Sequence, residues 1–352
     1  MKIVFLGDTH MGARAGSNNF SKYFNRFFSE LLYPYMLENG IKDIIQLGDF
    51  FDSRTNLSLK AFHACKPEWL EPLVENGFHM HVLIGNHDIT MRESLEINTP
   101  KNILAEYVKS GHVTIHERPA VVEYPNLTVD VVPWICKENE QEIAGFLGRT
   151  GCSDLCVGHF EISGFQMYRG IEGHGGLSPD LFERYERTLS GHFHTRSYNE
   201  NYKIEYIGTP YEMTWMDCGD PRGFTVFDTV TRKFEFVRNP FTMFQKIYYN
   251  DGCAADLTQL KEKFVKLIVE KKTDLYKFDT FLNNLRNAEV YDLGIVENTD
   301  ALNLMGGDVD ETIEVEDTAK IIENYVDGLE TSIDKSKIKA YLQSLYVESM
   351  SL

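Results

Sequence analysis

The stretch "SGHFHT", residues 190–195, sets His192 and His194 two apart behind Gly191. Four other stretches join a glycine to acid, amide or imidazole groups: "GDTH" (Asp8, His10), "GDFFD" (Asp49, Asp52), "GNHD" (Asn86, His87, Asp88) and "GHFE" (His159). Seven of these side chains, Asp8, His10, Asp49, Asn86, His159, His192 and His194, offer oxygen or imidazole nitrogen, and no cysteine falls among them. That donor set suits borderline or hard divalent ions such as manganese, iron or zinc. Seven ligands are too many for one tetrahedral site and too few for two octahedral shells, so a shared carboxylate with positions left for water fits the count. Two ions about 3.5–4 Å apart can lower the pKa of a water and clamp a phosphoryl group from both sides. Taken singly, a Gly-Asp after a strand is often a turn, and an isolated HxH reads as two histidines on a solvated strand face. Five such clusters in one chain point to metal chemistry.

Each cluster directly follows an apolar run. "KIVFLGD", "IKDIIQLGD" and "FHMHVLIGNHD" read as buried strands, separated by helical spacing in "FSKYFNRFFSELLYPYMLENG" and in "SLKAFHACKPEWLEPLVENG", which contains Pro67. This βαβαβ rhythm predicts an α/β sheet with helices outside it. The donors then stand at the C-terminal edge of the sheet, where α/β folds bind ligands. If "RTLSGHFH" continues as a strand, His192 and His194 share one face. From Val113 onward shorter strands follow with few long helices between them, which predicts a second, more antiparallel half packed on the first.

Beyond Pro240 the character changes. Residues 241–288 hold a strand-like "FQKIYY" and a basic amphipathic stretch, "LTQLKEKFVKLIVEKK". The run Glu289–Glu330 has 13 acidic residues and one lysine, and so carries −12 of the net −18 of the 352-residue chain. Residues 289–317 read as a flexible acidic linker. "AKIIENYVDGL" and "KIKAYLQSLYVES" then read as two short amphipathic helices, with stripes at Ile321, Ile322, Tyr325, Val326, Leu329 and at Ile338, Tyr341, Leu342, Leu345, Tyr346. Helices this short are marginal in isolation, so the stripes should be buried, on a separate protein or on this chain's own core. An acidic chain is a poor free-standing nucleic-acid binder, since phosphate contacts need Lys and Arg, so metals or a partner must supply the attraction. No apolar run is long enough to span a bilayer, and "MKIVFLGDTH" lacks the pattern of a secretory signal. Six cysteines without a CxxC pair read as reduced thiols of a cytoplasm.

Other candidates have blander readings. His79 and His81 precede the apolar centre of their strand and read as a partly exposed strand face. His63, His112, His116 and His174 read as surface or packing residues. Cys152 and Cys156 lack zinc-knuckle spacing, and "GIEGHGGLSP" lacks the Lys-Ser/Thr of a P-loop.

The order D-x-H, G-D-x-x-D, G-N-H-D, G-H, G-H-x-H over about residues 1 to 225 resembles the calcineurin-like metallophosphoesterases. Within them the chain is similar to the SbcD-type DNA nuclease subunit in its bacteriophage recombination form, through "GDTHMG", "VDVVPWICKEN", "YIGTPYEMTW", "DPRGF" and the helical pair after an acidic linker. The resemblance implies an α/β (α+β) fold: a β-sandwich flanked by helices (1–240), a small α/β capping and DNA-binding domain (241–288), the linker (289–317) and a C-terminal helix-loop-helix (318–352). It implies two divalent ions, Mn2+ with Mg2+ as the alternative. Asp8, His10, Asp49 and His194 would hold one, and Asp49, Asn86, His159 and His192 the other, with Asp49 bridging. His87 would contact the scissile phosphate and assist the leaving oxygen. Asp52 stands where some relatives have a second catalytic histidine, and can instead hydrogen-bond His10 or another ligand.

The implied function is a DNA exonuclease and endonuclease subunit working with an SMC-like ATPase bound through the C-terminal helices. It would act as a homodimer within a heterotetramer, in recombination and double-strand-break repair. The compartment would be the cytoplasm, that of the host cell if the chain is phage-encoded. The alternative is a phosphoprotein phosphatase or nucleotide phosphodiesterase of the same superfamily.

Overall fold

Two six-stranded sheets lie face to face in the computed structural model, which describes residues 1–168, 171–172, 176–251, 253, 255–297, 326 and 335–350. The first sheet runs Lys233–Arg238, Gly223–Asp228, Lys2–Leu6, Asp43–Gln46, His79–Leu83, Val113–His116. Its last four strands are parallel, joined through helices, and Lys2–Leu6 pairs antiparallel with Gly223–Asp228. The second sheet runs Ser197–Asn199, Ile204–Tyr206, Arg187–Ser190, Leu155–Gly158, Leu127–Val132, Ala120–Tyr124. Ile3, Phe5, Ile45 and Leu83 from the first sheet meet Val129, Val131, Val157 and Leu189 from the second in one buried cluster. Such strands read as apolar runs because both faces are covered.

The second sheet departs from the sequence expectation. Its four central strands are parallel, and only its two edges pair antiparallel. The crossovers are the segment with helix Glu140–Leu147, the long segment between Gly158 and Arg187, and residues 191–203, which carry the edge strand Ser197–Asn199. A parallel return needs a crossover of a dozen or more residues, and all three segments supply it. Val113–His116, Gly223–Asp228 and Lys233–Arg238 belong to the first sheet, the first beside His79–Leu83 and the other two on the far side of Lys2–Leu6.

The chain divides into two compact units, one of Met1–Tyr211 with Pro221–Phe241, the other of Glu212–Asp220 with Thr242–Leu352. The second has its own core of Ile247, Val265, Leu267, Phe278 and Leu285. Around it, Phe244–Tyr249, Phe264–Val269 and Asp292–Glu297 form a parallel sheet, with the helix Leu275–Arg286 as a crossover. The basic stretch is thus half strand, since its Val265, Leu267 and Val269 alternate inward. Asp292–Glu297 takes residues that composition assigned to the linker, because Leu293 and Ile295 continue the sheet opposite Val265 and Leu267. Residues 298–317 of the expected linker lie outside the described residues. So does the first C-terminal helix, apart from Val326, which is helical and buried. The second is observed as Lys335–Met350, with Tyr341 58% exposed. Among the described residues no helix is long and apolar enough to cross a membrane.

Candidate metal centre

Five parallel strands deliver the predicted donors, each just beyond its C-terminal end. Lys2–Leu6, Asp43–Gln46 and His79–Leu83 are followed by Asp8 with His10, by Asp49, and by Asn86 with His87. Leu155–Gly158 and Arg187–Ser190, neighbours in the facing sheet, are followed by His159 and by His192 with His194. The two sheet edges bring all seven together, mostly buried. The approach is close enough to exclude side chains at the preceding glycines. A Cβ on Gly85 would run into the Asp49 backbone and carboxylate, and one on Gly191 would strike Asp8 Oδ1 and the Leu47 carbonyl.

The donors fall into two trios, Asp8, His10, His194 and Asp49, His159, His192, whose ligand atoms lie within 4.8 Å of one another in each. In the first, His10 Nε2 is 3.2 Å from His194 Nε2, and His194 Nε2 is 3.9 Å from Asp8 Oδ2. In the second, His159 donates Nδ1–H to the Leu47 carbonyl at 2.8 Å, which leaves the Nε2 lone pair pointing elsewhere. That Nε2 lies 2.9 Å from Asn86 Oδ1 and 3.3 Å from Asp49 Oδ2, and Asn86 Oδ1 lies 2.9 Å from His192 Nδ1. Asp49 Oδ2 is also 3.8 Å from His10 Nε2, so one carboxylate adjoins both trios. Lone-pair atoms converging in this way need positive charge among them. Two ligands at about 2.1 Å from one cation stand about 3.0–3.4 Å apart, the spacing of the close pairs here. The residues fit divalent ions.

The electrostatics carry the same demand. Burial pulls the His10 imidazole down, yet the Asp52, Asp49 and Asp8 carboxylates overcome it and hold it at about 9. His159, equally buried, is raised to about 9 by Asp49 and Asp8. Burial raises Asp8 to about 6, whereas Asp49, despite burial, is held well below the usual carboxylate range by His159 and His87. His192 is lowered to about 3 by burial and by His159, and His194 is lowered by burial and by His10. A divalent cation would displace the protons that the carboxylates otherwise place on His10 and His159.

His192 and His194 do not share a strand face. Strand pairing ends at Ser190, and His192 adopts φ +83°, so the ring of each turns to a different trio. His10 (φ +41°) and Asp49 (φ +51°) are left-handed as well, the backbone strain often found at functional sites. His87 is half-buried at the rim, its Nδ1–H donated to the Asp52 carbonyl at 2.8 Å, its N–H to Asp49 Oδ1 at 2.7 Å. The Asp52 carboxylate lies 3.4 Å from His10 Nδ1.

Two residues that sequence reasoning passed over also shape the site. Asp88, fully buried, accepts the N–H groups of Phe50, Phe51 and Gly85 at 3.3, 3.0 and 2.9 Å and so ties the Asp49 loop to the Asn86 loop. Trp134 stands with its ring centroid 5.0 Å from that of His192 and 5.8 Å from that of His159. Both sit inside motifs already noted, "GNHD" and "VDVVPWICKEN", where residue type alone named no ligand. His81 and His116, expected to be partly exposed or ordinary, are buried against each other, while His63 is exposed and His174 lies outside the described residues.

The sequence profile of the calcineurin-like phosphoesterase family matches residues 1–207. Exonuclease subunit 1 of Enterobacteria phage T4 is 33% identical over 352 residues, which is 99% of each chain. Among solved structures, an archaeal phosphodiesterase aligns with a TM-score of 0.36 at 12% identity, covering 68% of this chain and 100% of its own. GAP50, the inner membrane complex anchor of Plasmodium, aligns at 0.38 with 14% identity, covering 69% and 90%.

Proposed function

The chain belongs to the calcineurin-like phosphoesterase family, and from that premise we propose that it is a two-metal DNA nuclease subunit with exonuclease and endonuclease activity. Membership makes it a metal-dependent phosphoesterase. The observation that carries the finer reading is Asp49, whose Oδ2 adjoins His159 Nε2 at 3.3 Å and His10 Nε2 at 3.8 Å. The bound cations, Mn2+ with Mg2+ as the alternative, would supply a lowered water pKa and a clamp on the phosphoryl oxygens.

The chain's own residues do the rest. Asp8, His10, Asp49 and His194 hold one ion; Asp49, Asn86, His159 and His192 hold the other. His87 is fixed by Asp52 O and Asp49 Oδ1, so the neutral ring turns its Nε2 lone pair outward. As the imidazolium, which the negative charge of a bound phosphate favours over the lowering by burial, it meets the scissile phosphate and gives the Nε2 proton to the departing oxygen. Asp52, 3.4 Å from His10 Nδ1, orients that ligand. Likeness over the full length to a phage exonuclease subunit supports DNA as substrate and a partner subunit. In this reading the partner is an SMC-like ATPase bound through residues 318–352, assembled as a heterotetramer around a homodimer. It brings the basic DNA surface that a chain of net charge −18 lacks.

The test compares linear duplex DNA with a phosphomonoester, each with Mn2+ and with Mg2+. Cleavage of DNA with little monoester turnover is expected. The reverse preference would favour a phosphatase and overturn the nuclease reading.

A further inference from the structure

The chain leaves its first unit after Tyr211 and returns to it at Pro221. Each end of this excursion is fastened to the same donor trio. Tyr211 donates its hydroxyl to the Thr9 carbonyl at 2.5 Å, and Thr9 is the residue between Asp8 and His10. Arg222, buried, donates Nη1 to the His194 carbonyl and, at 2.6 Å, to Thr209 Oγ1. Thr209 closes the loop: its N–H meets the His194 carbonyl at 3.2 Å, and its hydroxyl meets the Tyr211 carbonyl at 2.9 Å. The backbone of His194, and that of Thr9 between Asp8 and His10, is therefore gripped by residues flanking one short segment. In the other trio, His159 donates to the Leu47 carbonyl. His192 N–H meets the Asp8 carboxylate and the Asp49 carbonyl accepts the Thr9 and His10 N–H groups, so this trio meets Tyr211 and Arg222 only through the first.

The segment between the fastened ends is firmly built into the second unit. Glu212, buried, accepts the N–H groups of Met243 and Phe244 at 2.5 and 2.9 Å, and Asp217 those of Met213 and Thr214 at 2.8 Å each. We propose that Tyr211 and Arg222 are positioning residues that act first on the Asp8–His10–His194 trio, and that through the peptide links at Glu212 and Pro221 this trio's grip on its cation answers to the second unit. The proposal rests on the metal-centre reading above. It makes the two ions unequal: one site is set by the sandwich, the other is adjustable.

Mn2+ titration calorimetry on the full chain separates the two trios when one is disabled. In a His192→Ala background, which leaves the first trio, Tyr211→Phe and Arg222→Gln should each weaken Mn2+ binding by about 10–100-fold, the usual cost of losing a group that orients a ligand. In a His194→Ala background, which leaves the second, the same changes should weaken binding less than about 3-fold, since they reach it only through the first trio's backbone. Arg222→Lys, which keeps the charge and a donor, should recover part of the loss. Tyr211→Phe keeps the ring stacked on Phe24, at 3.9 Å between centroids, so the fold has little reason to change. Glu212→Ala, which touches neither trio, should weaken the first more than the second.

Equal weakening in both backgrounds, no weakening in the first, or unfolding of both Tyr211→Phe and Arg222→Lys would overturn the positioning role. An unchanged first trio in Glu212→Ala would overturn the coupling. A wild-type chain that binds no Mn2+ at all would instead sink the metal-centre reading, which keeps the two failures apart.

Discussion

Histidines stand two apart in two places, at His79 and His81 and at His192 and His194, and the pairs have opposite fates. His79 and His81 do lie on one strand and one face, with ring centroids 4.5 Å apart. His81 Nδ1 meets His116 Nε2 at 2.9 Å, and His79 Nε2 meets the Thr114 hydroxyl at 2.9 Å. The nearest carboxylate, Asp43 Oδ1, is 4.0 Å from His79 Nδ1. Burial, with little opposing charge, lowers His81 to about 3 and His116 to about 4, so these rings stay neutral and serve packing. His192 and His194 are neutral too, but they stand in a loop among Asp8, Asp49 and Asn86. Carboxylates around a histidine pair, not the spacing of the pair, separate a metal site from a packed core.

The largest test of that contrast removes the central carboxylate. Asp49→Ala should lose at least one equivalent of bound Mn2+ and all measurable DNA hydrolysis, making the site as inert as the His81–His116 stack. Calorimetric stoichiometry that remains at wild type would remove Asp49 from its bridging role. Next, His87→Ala should keep Mn2+ affinity and lose about 10²–10⁴-fold in turnover, the contribution of a positioned acid. If metal binding and turnover fall together, His87 holds an ion rather than the phosphate.

Asp52→Asn is expected to cost about 10–100-fold in Mn2+ affinity or turnover, through the orientation of His10. Complete loss of turnover with affinity intact would assign Asp52 a direct proton transfer.

The smallest effect belongs to the packed pair. A histidine whose folded pKa lies below its unfolded value takes up protons in the unfolded chain first. The stability from keeping His81 and His116 neutral is therefore complete above about pH 6.5 and is lost as pH falls toward about 4. The slope is on the order of 1 kcal/mol per pH unit for each ring. Urea midpoints measured between pH 7.5 and pH 5 should fall less steeply in His116→Gln than in the wild type. Identical slopes would show that the acid sensitivity arises at the metal centre instead.

Much of the site was legible before any coordinates because its signals are local. An apolar run, a glycine and a donor residue occupy adjacent positions, and chain physics alone ends a buried strand there. All seven donors and the rim histidine could be named in this way, as could the alternation of strand and helix in the first half. The reading of the second half as antiparallel failed because strand direction depends on what fills the crossover, and the segment from Phe160 to Glu186 has little periodicity to announce itself. The basic stretch 257–272 misled for a related reason: short apolar alternation within a charged segment suits either a helix or a strand until a neighbouring strand is present.

The sequence by itself determined which side chains could bind a cation and that each would sit at a strand's end, since donor chemistry and strand termination are properties of a few consecutive residues. Only the tertiary structure decided which donor meets which. His10 and His194 are 184 positions apart and approach to 3.2 Å because two sheets, each buried on its inner face by its own apolar strands, align their C-terminal edges. The same packing buried His81 against His116, set Asp88 across two loops, and fastened Tyr211 and Arg222 to the Thr9 and His194 carbonyls. Those contacts follow from how the apolar faces come together, and the local order of residues carries no record of it.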